Sequence, residues 1–321
     1  MDRGTPNGAS DASGLAPIAF FAFRRPWTTL QALYSLSRCP EAARSVLHVF
    51  CDGPRGESDR ADVALVREVV RSQRWCGRVE VHESARNQGL ARSVIDGVTT
   101  LCRSDGRVIV LEDDLLVSSG FLDYMNRALA QYRDEPTVMQ ISGHSFPAWP
   151  PEPRAVFMPL ATTWGWATWQ RAWSAFGEQP EVGPLRHYAV VRRSFDLDGA
   201  YPYSQMLERQ VAGEIDSWGI RWWWTMFQLR GLGLFPVRTL VRNIGFDADA
   251  THTTGRSWVM DAPDWLADAS ITQLPAAVEP DQQAFRRWKE HLRARRPSLA
   301  ERVGGAARSL RLWASGSEEG V

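Results

Sequence analysis

Apolar and polar positions follow two periodicities along the first third of the chain, one typical of strands and one typical of helices. The apolar runs or strict alternation typical of strands occur at residues 18–23, 45–51, 78–83 and 107–112. Segments with apolar residues at helical spacing lie between them, at 27–39, 58–73 and 89–102. Strands that alternate with helices in this way predict an α/β fold, with a central, mostly parallel, doubly wound sheet flanked by helices.

The same pattern divides the chain into three parts. Residues 1–16 are polar and glycine-rich, and we expect a disordered lead-in. Residues 17–275 contain no linker and are predicted to form one domain, whose second half, from residue 146, is crowded with tryptophan. Residues 276–321 predict a helical, basic tail, which would be solvated or would contact an anionic membrane surface.

Composition narrows the class of protein. The formal net charge is zero, which argues against a nucleic-acid partner. The four cysteines form no C-x-x-C pair, so neither a zinc nor a redox motif is indicated, and free thiols in a reducing cytoplasm are expected. No apolar run approaches the roughly 20 residues of a membrane helix. We therefore expect a cytoplasmic protein, with peripheral membrane contact at most.

Three consecutive acids, Glu112, Asp113 and Asp114, follow the apolar run 108–111. Adjacent like charges are costly to bury without a compensating partner. Three interpretations are open: acids at a helix N-terminus, ligands of a hard cation such as Mg²⁺ or Mn²⁺, or an acid/base pair as in glycosidases. A divalent cation would cancel the repulsion between the acids, which favours the second interpretation.

Two strand-end motifs, "CDG" at 51–53 and then "EDD" at 112–114, make the chain resemble the nucleotide-sugar glycosyltransferases of the GT-A fold. The triplet "EDD" at 112–114 and "CDG" at 51–53 resemble most the N-acetylglucosaminyltransferase I type and its bacterial, family-2-like relatives. The resemblance covers most of residues 17–255. It implies a metal-dependent, inverting transfer from a nucleotide-sugar, with a UDP-sugar expected, to a glycan, lipid-linked or small-molecule acceptor. Residues 17–145 would bind the nucleotide and residues 146–275 the acceptor.

The resemblance also assigns roles to single residues. Asp114 matches the direct ligand of Mn²⁺ or Mg²⁺, and His252 matches a histidine that binds the same cation or the diphosphate. Glu112 and Asp113 match positions facing the sugar or ribose of the donor. Asp52 matches the acid that reads the uracil ring, although a simple turn residue in "DGP" is the alternative.

Arginine and asparagine complete the predicted donor site. Arg24 follows the first strand, where the family contacts the nucleotide. Asn87 lies in a stretch that resembles the family's turn into a helix beside the donor, and Arg86 or Arg92 is within reach of phosphate. The alternative is an ordinary connection whose arginines are solvated.

An inverting transferase needs a carboxylate that accepts the proton of the attacking hydroxyl. Asp216, two residues before Trp218, resembles the family's "Asp-Asp-Trp", whose first Asp is the base; here Ser217 replaces the second acid. Glu214 is the second candidate. The alternative role for Asp216 is a helix N-cap.

Two other classes of protein compete with a glycosyltransferase. A nucleotidyl- or phosphotransferase also places acids at strand ends with Mg²⁺, but it usually has a glycine-rich phosphate loop or a phosphate-binding lysine. Lys289 is the only lysine of this chain. A non-catalytic carbohydrate-binding protein would use the tryptophans as stacking surfaces and would not need Asp114 or Asp216.

Overall fold

The computed structural model describes residues 14–146, 152–245 and 269–294. Its strands are β1 Ile18–Ala22, β2 Val46–Cys51, β3 Arg78–Glu83, β4 Arg107–Glu112, β5 Leu115–Val117, β6 Val138–Ser142, β7 Ala155–Met158, β8 Trp166–Trp169, β9 Leu232–Pro236 and β10 Val241–Asn243. Its α-helices are α1 Pro26–Ser37, α2 Arg60–Arg71, α3 Leu90–Asp105, α4 Phe121–Gln131, α5 Gln170–Trp173, α6 Gly183–His187, α7 Ala189–Phe195, α8 Tyr203–Val211, α9 Trp218–Gln228 and α10 Gln282–Ala294.

Eight strands form one central sheet, in the order β3-β2-β1-β4-β8-β6-β9-β7. The first four strands in this order are mutually parallel, and β6 pairs parallel with β9. Strands β8 and β7 run antiparallel to their neighbours. Helices pack against both faces of the sheet, so the predicted α/β fold with a mostly parallel sheet is confirmed.

The predicted elements of the first third are all present. Helix α3 continues to Asp105, three residues beyond the predicted end, and ends at Gly106, whose φ of +75° is left-handed. The insertion of β8 between β4 and β6 was not predicted, since it depends on pairing between distant segments.

The sheet separates two hydrophobic clusters. One lies against α1, α2 and α4, and the other lies against α3, α9 and α10. All four cysteines are buried and unpaired with one another, as expected for free thiols. Trp166 and Trp222 are fully buried, so these members of the tryptophan-rich half belong to the core.

Helix α10, within the predicted tail, packs onto this core. Its Trp288 is 2% exposed, and the ring lies 4.3 Å from that of Phe146 and 5.3 Å from that of Phe235, centroid to centroid. Its outer face carries arginines such as Arg286 and Arg287. Within the three described ranges, no helix combines the length and the apolar character needed to cross a bilayer.

Candidate active site

A cleft of about 530 Å³ opens at the carboxyl ends of β1, β2 and β4. Strand β1 lies between β2 and β4, so chain connections diverge there to opposite sides of the sheet. Six of the predicted site residues line the cleft: Asp52, Asn87, Glu112, Asp113, Asp114 and Asp216. The fold thus brings together acids that are more than 160 positions apart in sequence.

The compensating charge for the acidic triplet is Arg25. Its Nη2 donates hydrogen bonds to Asp113 Oδ1 at 2.5 Å and to Asp114 Oδ2 at 3.1 Å. The other oxygen of Asp113 accepts from the backbone N–H of Phe23 at 3.1 Å. Arg25 therefore ties the end of β1 to the end of β4, which the sequence analysis did not foresee.

The neighbouring Arg24, which was predicted to contact the nucleotide, has a different environment. Its Nη1 lies 3.7 Å from Asp59 Oδ1, and it does not line the cleft. Strand β1 ends at Ala22 and α1 begins at Pro26, so the two arginines occupy a sharp connection. Arg25 turns into the cleft because it pairs with Asp113 and Asp114 there. The sequence does not indicate which of the two arginines does so.

Burial of the triplet changes its charge. Removal from water, together with the neighbouring Asp114 and Asp113, raises the pKa of Glu112 to about 8. Removal from water also raises the pKa of Asp113 to about 6, although Arg25 opposes this shift. Burial therefore favours the protonated form of Glu112 and reduces the negative charge that the triplet carries.

One oxygen of the triplet fits a hard cation. Asp114 Oδ1 is buried and has no hydrogen-bond partner among the described residues. The backbone of Asp114 is fixed as well, because its carbonyl accepts from Ile244 N at 2.9 Å and β5 pairs with β10 beside it. A fixed carboxylate oxygen without a partner is the kind of ligand that Mg²⁺ or Mn²⁺ takes.

Asp52 organises the loop that follows β3. Its Oδ1 accepts from the backbone N–H of Gly53 and Gln88, at 2.8 and 2.9 Å. Its Oδ2 accepts from Asn87 Nδ2 and Gly89 N, at 2.9 and 3.0 Å. Four donors fill the acceptor positions of one carboxylate. A base N–H at this point would have to displace one of them.

Asp216 reaches the cleft from the start of α9. Ser217 is the N-cap of that helix, since its Oγ accepts from Ile220 N at 3.4 Å, so the capping role falls to the serine. Arg221, which is 7% exposed, donates from Nη2 to Asp216 Oδ1 at 2.9 Å. The side chain of Asp216 is 67% exposed. One carboxylate oxygen of Asp216 is therefore fixed by Arg221, while much of the side chain remains accessible from solvent.

Two further predicted residues lie outside the cleft. Glu214 is exposed and pairs with Arg209 at 3.1 Å. Arg92 is exposed on α3 and pairs with Asp96 at 2.7 Å. His252 lies outside the described residues.

Aromatic and basic residues that the sequence analysis missed complete the cleft. Phe21 and Phe50 line it and stack on each other, with ring centroids 5.1 Å apart. Arg55 lies 5.3 Å above the ring of Phe23 and is held by Asp59. The apolar run of β1 predicts that Phe21 is buried, but neither this run nor the alternation of β2 shows that the rings of Phe21 and Phe50 border a cavity.

A second pocket, of about 240 Å³, adjoins the cleft. Trp164 lines both cavities, and Ser217, next to Asp216, lines the second. Several of the other lining residues are aromatic, with Tyr201, Tyr203 and Trp223 among them. The junction of the two cavities is thus at the start of α9.

Comparison with known proteins finds distant similarity to solved structures. No family model matches the chain. No curated protein matches it either. Among solved structures, the chain is similar to the apo form of mouse xyloside xylosyltransferase 1, with 14% identity, a TM-score of 0.34, and 67% of this chain and 81% of that chain covered. It is also similar to TarS of S. aureus, with 13% identity, a TM-score of 0.29, and 46% and 25% covered. Similarity at this level assigns no activity.

Proposed function

We propose that this chain is a glycosyltransferase that moves a sugar from a nucleotide-sugar to an acceptor hydroxyl, with inversion at the anomeric carbon. One observation carries the proposal. The acids of β4 and Asp216 of α9, distant in sequence, line a single cleft at the switch point of a mostly parallel sheet. The cleft has about 530 Å³, the size of a small-molecule site.

The donor would lie over the ends of β1, β2 and β4. The guanidinium groups of Arg25 and Arg55, although already paired with acids, would donate further hydrogen bonds to a diphosphate. The rings of Phe21 and Phe50 would supply an apolar surface for a nucleobase. We propose a UDP-sugar, as the resemblance implies. Asp52 and Asn87 would shape the loop beside the donor, because the Asp52 carboxylate already accepts four hydrogen bonds.

Asp114 would hold Mn²⁺ or Mg²⁺ through Oδ1, and His252 remains a proposed second ligand. When bound, the cation supplies positive charge that stabilises the departing diphosphate. Arg25 neutralises Asp113 and the other oxygen of Asp114. Its guanidinium thereby sets the charge that the cleft presents to a donor.

Asp216 would act as the general base. Its Oδ2 accepts the proton of the acceptor hydroxyl while the hydroxyl oxygen forms a bond to the anomeric carbon. The bond from that carbon to the diphosphate oxygen breaks, and the electron pair leaves with the diphosphate. Arg221 holds the other oxygen of Asp216 and so orients the carboxylate.

The acceptor would enter through the second pocket. Its aromatic walls suit the C–H face of a sugar ring, and its hydroxyl-bearing residues, such as Thr163 and Ser217, suit the ring hydroxyls. We therefore favour a glycan acceptor. Its reacting hydroxyl would meet Asp216 at the junction of the two cavities.

The test is release of UDP from UDP-sugars in the presence of Mn²⁺, with a panel of glycan acceptors. We expect Asp114→Asn and Asp216→Asn each to lower turnover by at least about 100-fold, the scale of losing general-base catalysis or charge stabilisation. Glu214→Gln is the matched control, because Glu214 is exposed and outside the cleft. Donor binding without turnover in the wild type would instead indicate a carbohydrate-binding protein.

A further inference from the structure

Three side chains with metal-binding chemistry meet on the outer part of the sheet, outside the lining of the cleft. His48 lies on β2, and Glu80 and His82 lie on β3, the terminal strand of the sheet order. His48 pairs in register with Glu80, and His82 is two positions further along β3. Alternate residues of a strand share a face, so all three side chains project from the same side.

Their ligand atoms have the spacing of a coordination site. His48 Nδ1 lies 3.2 Å from His82 Nε2 and 3.2 Å from Glu80 Oε2. All three atoms lie within 4.8 Å of one another. A tetrahedral ion with bonds of about 2.0–2.1 Å keeps its ligand atoms about 3.3 Å apart. The separations around His48 are therefore those that such an ion requires.

An outer partner already orients the carboxylate. Arg78 Nε donates to Glu80 Oε1 at 2.7 Å, and its Nη2 contacts the same oxygen. Oxygen Oε2 is the one that faces His48. Groups that hold one oxygen of a carboxylate and leave the other to the metal are usual around metal ligands.

Accessibility suits an ion that enters from solvent. The side chain of His48 is 12% exposed and that of Glu80 is 33% exposed, and His82 is exposed. His48 thus shields one side of the site, and the solvent-facing side leaves the fourth coordination position of the ion for water.

We propose that His48, Glu80 and His82 bind one divalent transition-metal ion, of the Zn²⁺, Co²⁺ or Ni²⁺ class. Two imidazole nitrogens select these ions over Mg²⁺ and Mn²⁺. The three ligands lie outside the lining of the proposed donor cleft, although the His82 ring stacks on Phe50 of that lining, with ring centroids 4.7 Å apart. The site does not depend on the proposed function. Its ion would clamp the terminal strand β3 to β2.

The test uses untagged full-length protein carrying Asp114→Asn, stripped with a chelator, so that the donor cleft does not compete. Titration with Co²⁺ should give one equivalent of binding, with the visible absorption of a tetrahedral or five-coordinate ion. Zn²⁺ should displace the Co²⁺ and raise the melting temperature. We expect His48→Gln and His82→Gln each to weaken binding by at least about 100-fold, more than loss of an outer-sphere partner does.

His187→Gln is the control, since His187 is exposed on α6 and bonds to its own helix at Gly183 O. It should leave the Co²⁺ affinity unchanged. Circular dichroism of each variant establishes that it is folded. The proposal is overturned if the stripped protein binds no Co²⁺, or if both the His48 and the His82 variants bind it as the wild type does.

Discussion

Arg25 joins two carboxylates that lie on adjacent positions of the same strand end. The side chain of Arg25 is 19% exposed, and those of Asp113 and Asp114 are 5% and 14% exposed. A charge pair so removed from water is costly to break, because the remaining acids are left buried without a partner. The arginine therefore contributes to stability as well as to the charge of the cleft.

Arg25→Gln should lower the free energy of unfolding by about 2–3 kcal/mol, near the low end of the cost of breaking a buried ion pair. Urea denaturation at pH 7 measures this. Arg24→Gln, at the next position, should cost at most about 1 kcal/mol, as for a partly exposed pair. Equal losses in the two variants would contradict the assignment of the inward role to Arg25.

Gly245 lies against Arg25 and Asp114. A methyl group at this position would lie 2.2 Å from Asp114 Oδ2 and 2.8 Å from Arg25 Nη1, so one of them must move. We expect Gly245→Ala to lower UDP release by about 10- to 100-fold, as misplacement of a catalytic group by about 1 Å does. Gly183→Ala, where a methyl group meets open space, should leave UDP release unchanged.

At the scale of elements, local pattern predicts the first half of the sheet and not the second. Strands β1 to β4 and the helices between them follow from apolar periodicity, because that periodicity lies within each segment and needs no knowledge of its partners. Strand β8 pairs with β4 and β6 through contacts some 25 to 60 positions apart, which periodicity does not encode. The candidate site shows the same difference. The acids at the end of β4 were predictable from the local sequence, but the pairing of Arg25 with them was not, because it joins residues about 90 positions apart.

Helix α10 provides an element-scale prediction. Trp288 is buried between Phe146 and Phe235, so Trp288→Ala should cost about 3–5 kcal/mol, as other large-to-small core substitutions do. Trp27→Ala is the matched control, because Trp27 is 65% exposed and should cost about 0.5 kcal/mol or less. Thermal or chemical unfolding of both variants gives the comparison. A negligible cost at Trp288 would mean that α10 does not belong to the core.

At the scale of the whole molecule, the cysteines report on the integrity of the fold. Burial raises the pKa of each thiol, Cys39, Cys51, Cys76 and Cys102, to about 12. At pH 8 an unfolded thiol, with a pKa of about 8.5, is partly ionised, whereas the folded thiols stay protonated. We expect no rapid labelling of the native protein by a thiol reagent, and four labelled thiols in denaturant.

The raised pKa values of the four thiols also make the stability of the fold depend on pH. Because the folded state keeps thiol protons that the unfolded state loses, stability should fall as the pH rises above about 8.5. Denaturant unfolding between pH 7 and pH 10 measures the slope. Replacing Cys76 by Ala should reduce the slope, and an unchanged slope would show that other groups cause it.

The four hydrogen bonds accepted by Asp52 have a consequence for ligand association. Three of them hold residues 87–89 before any ligand arrives, so the conformational entropy of that loop is lost during folding. A small molecule that enters beside a preorganised loop does not bear this ordering cost again, and its affinity rises accordingly. Asp52→Ala should thus weaken ligand affinity indirectly, by returning the loop to an ensemble of conformations.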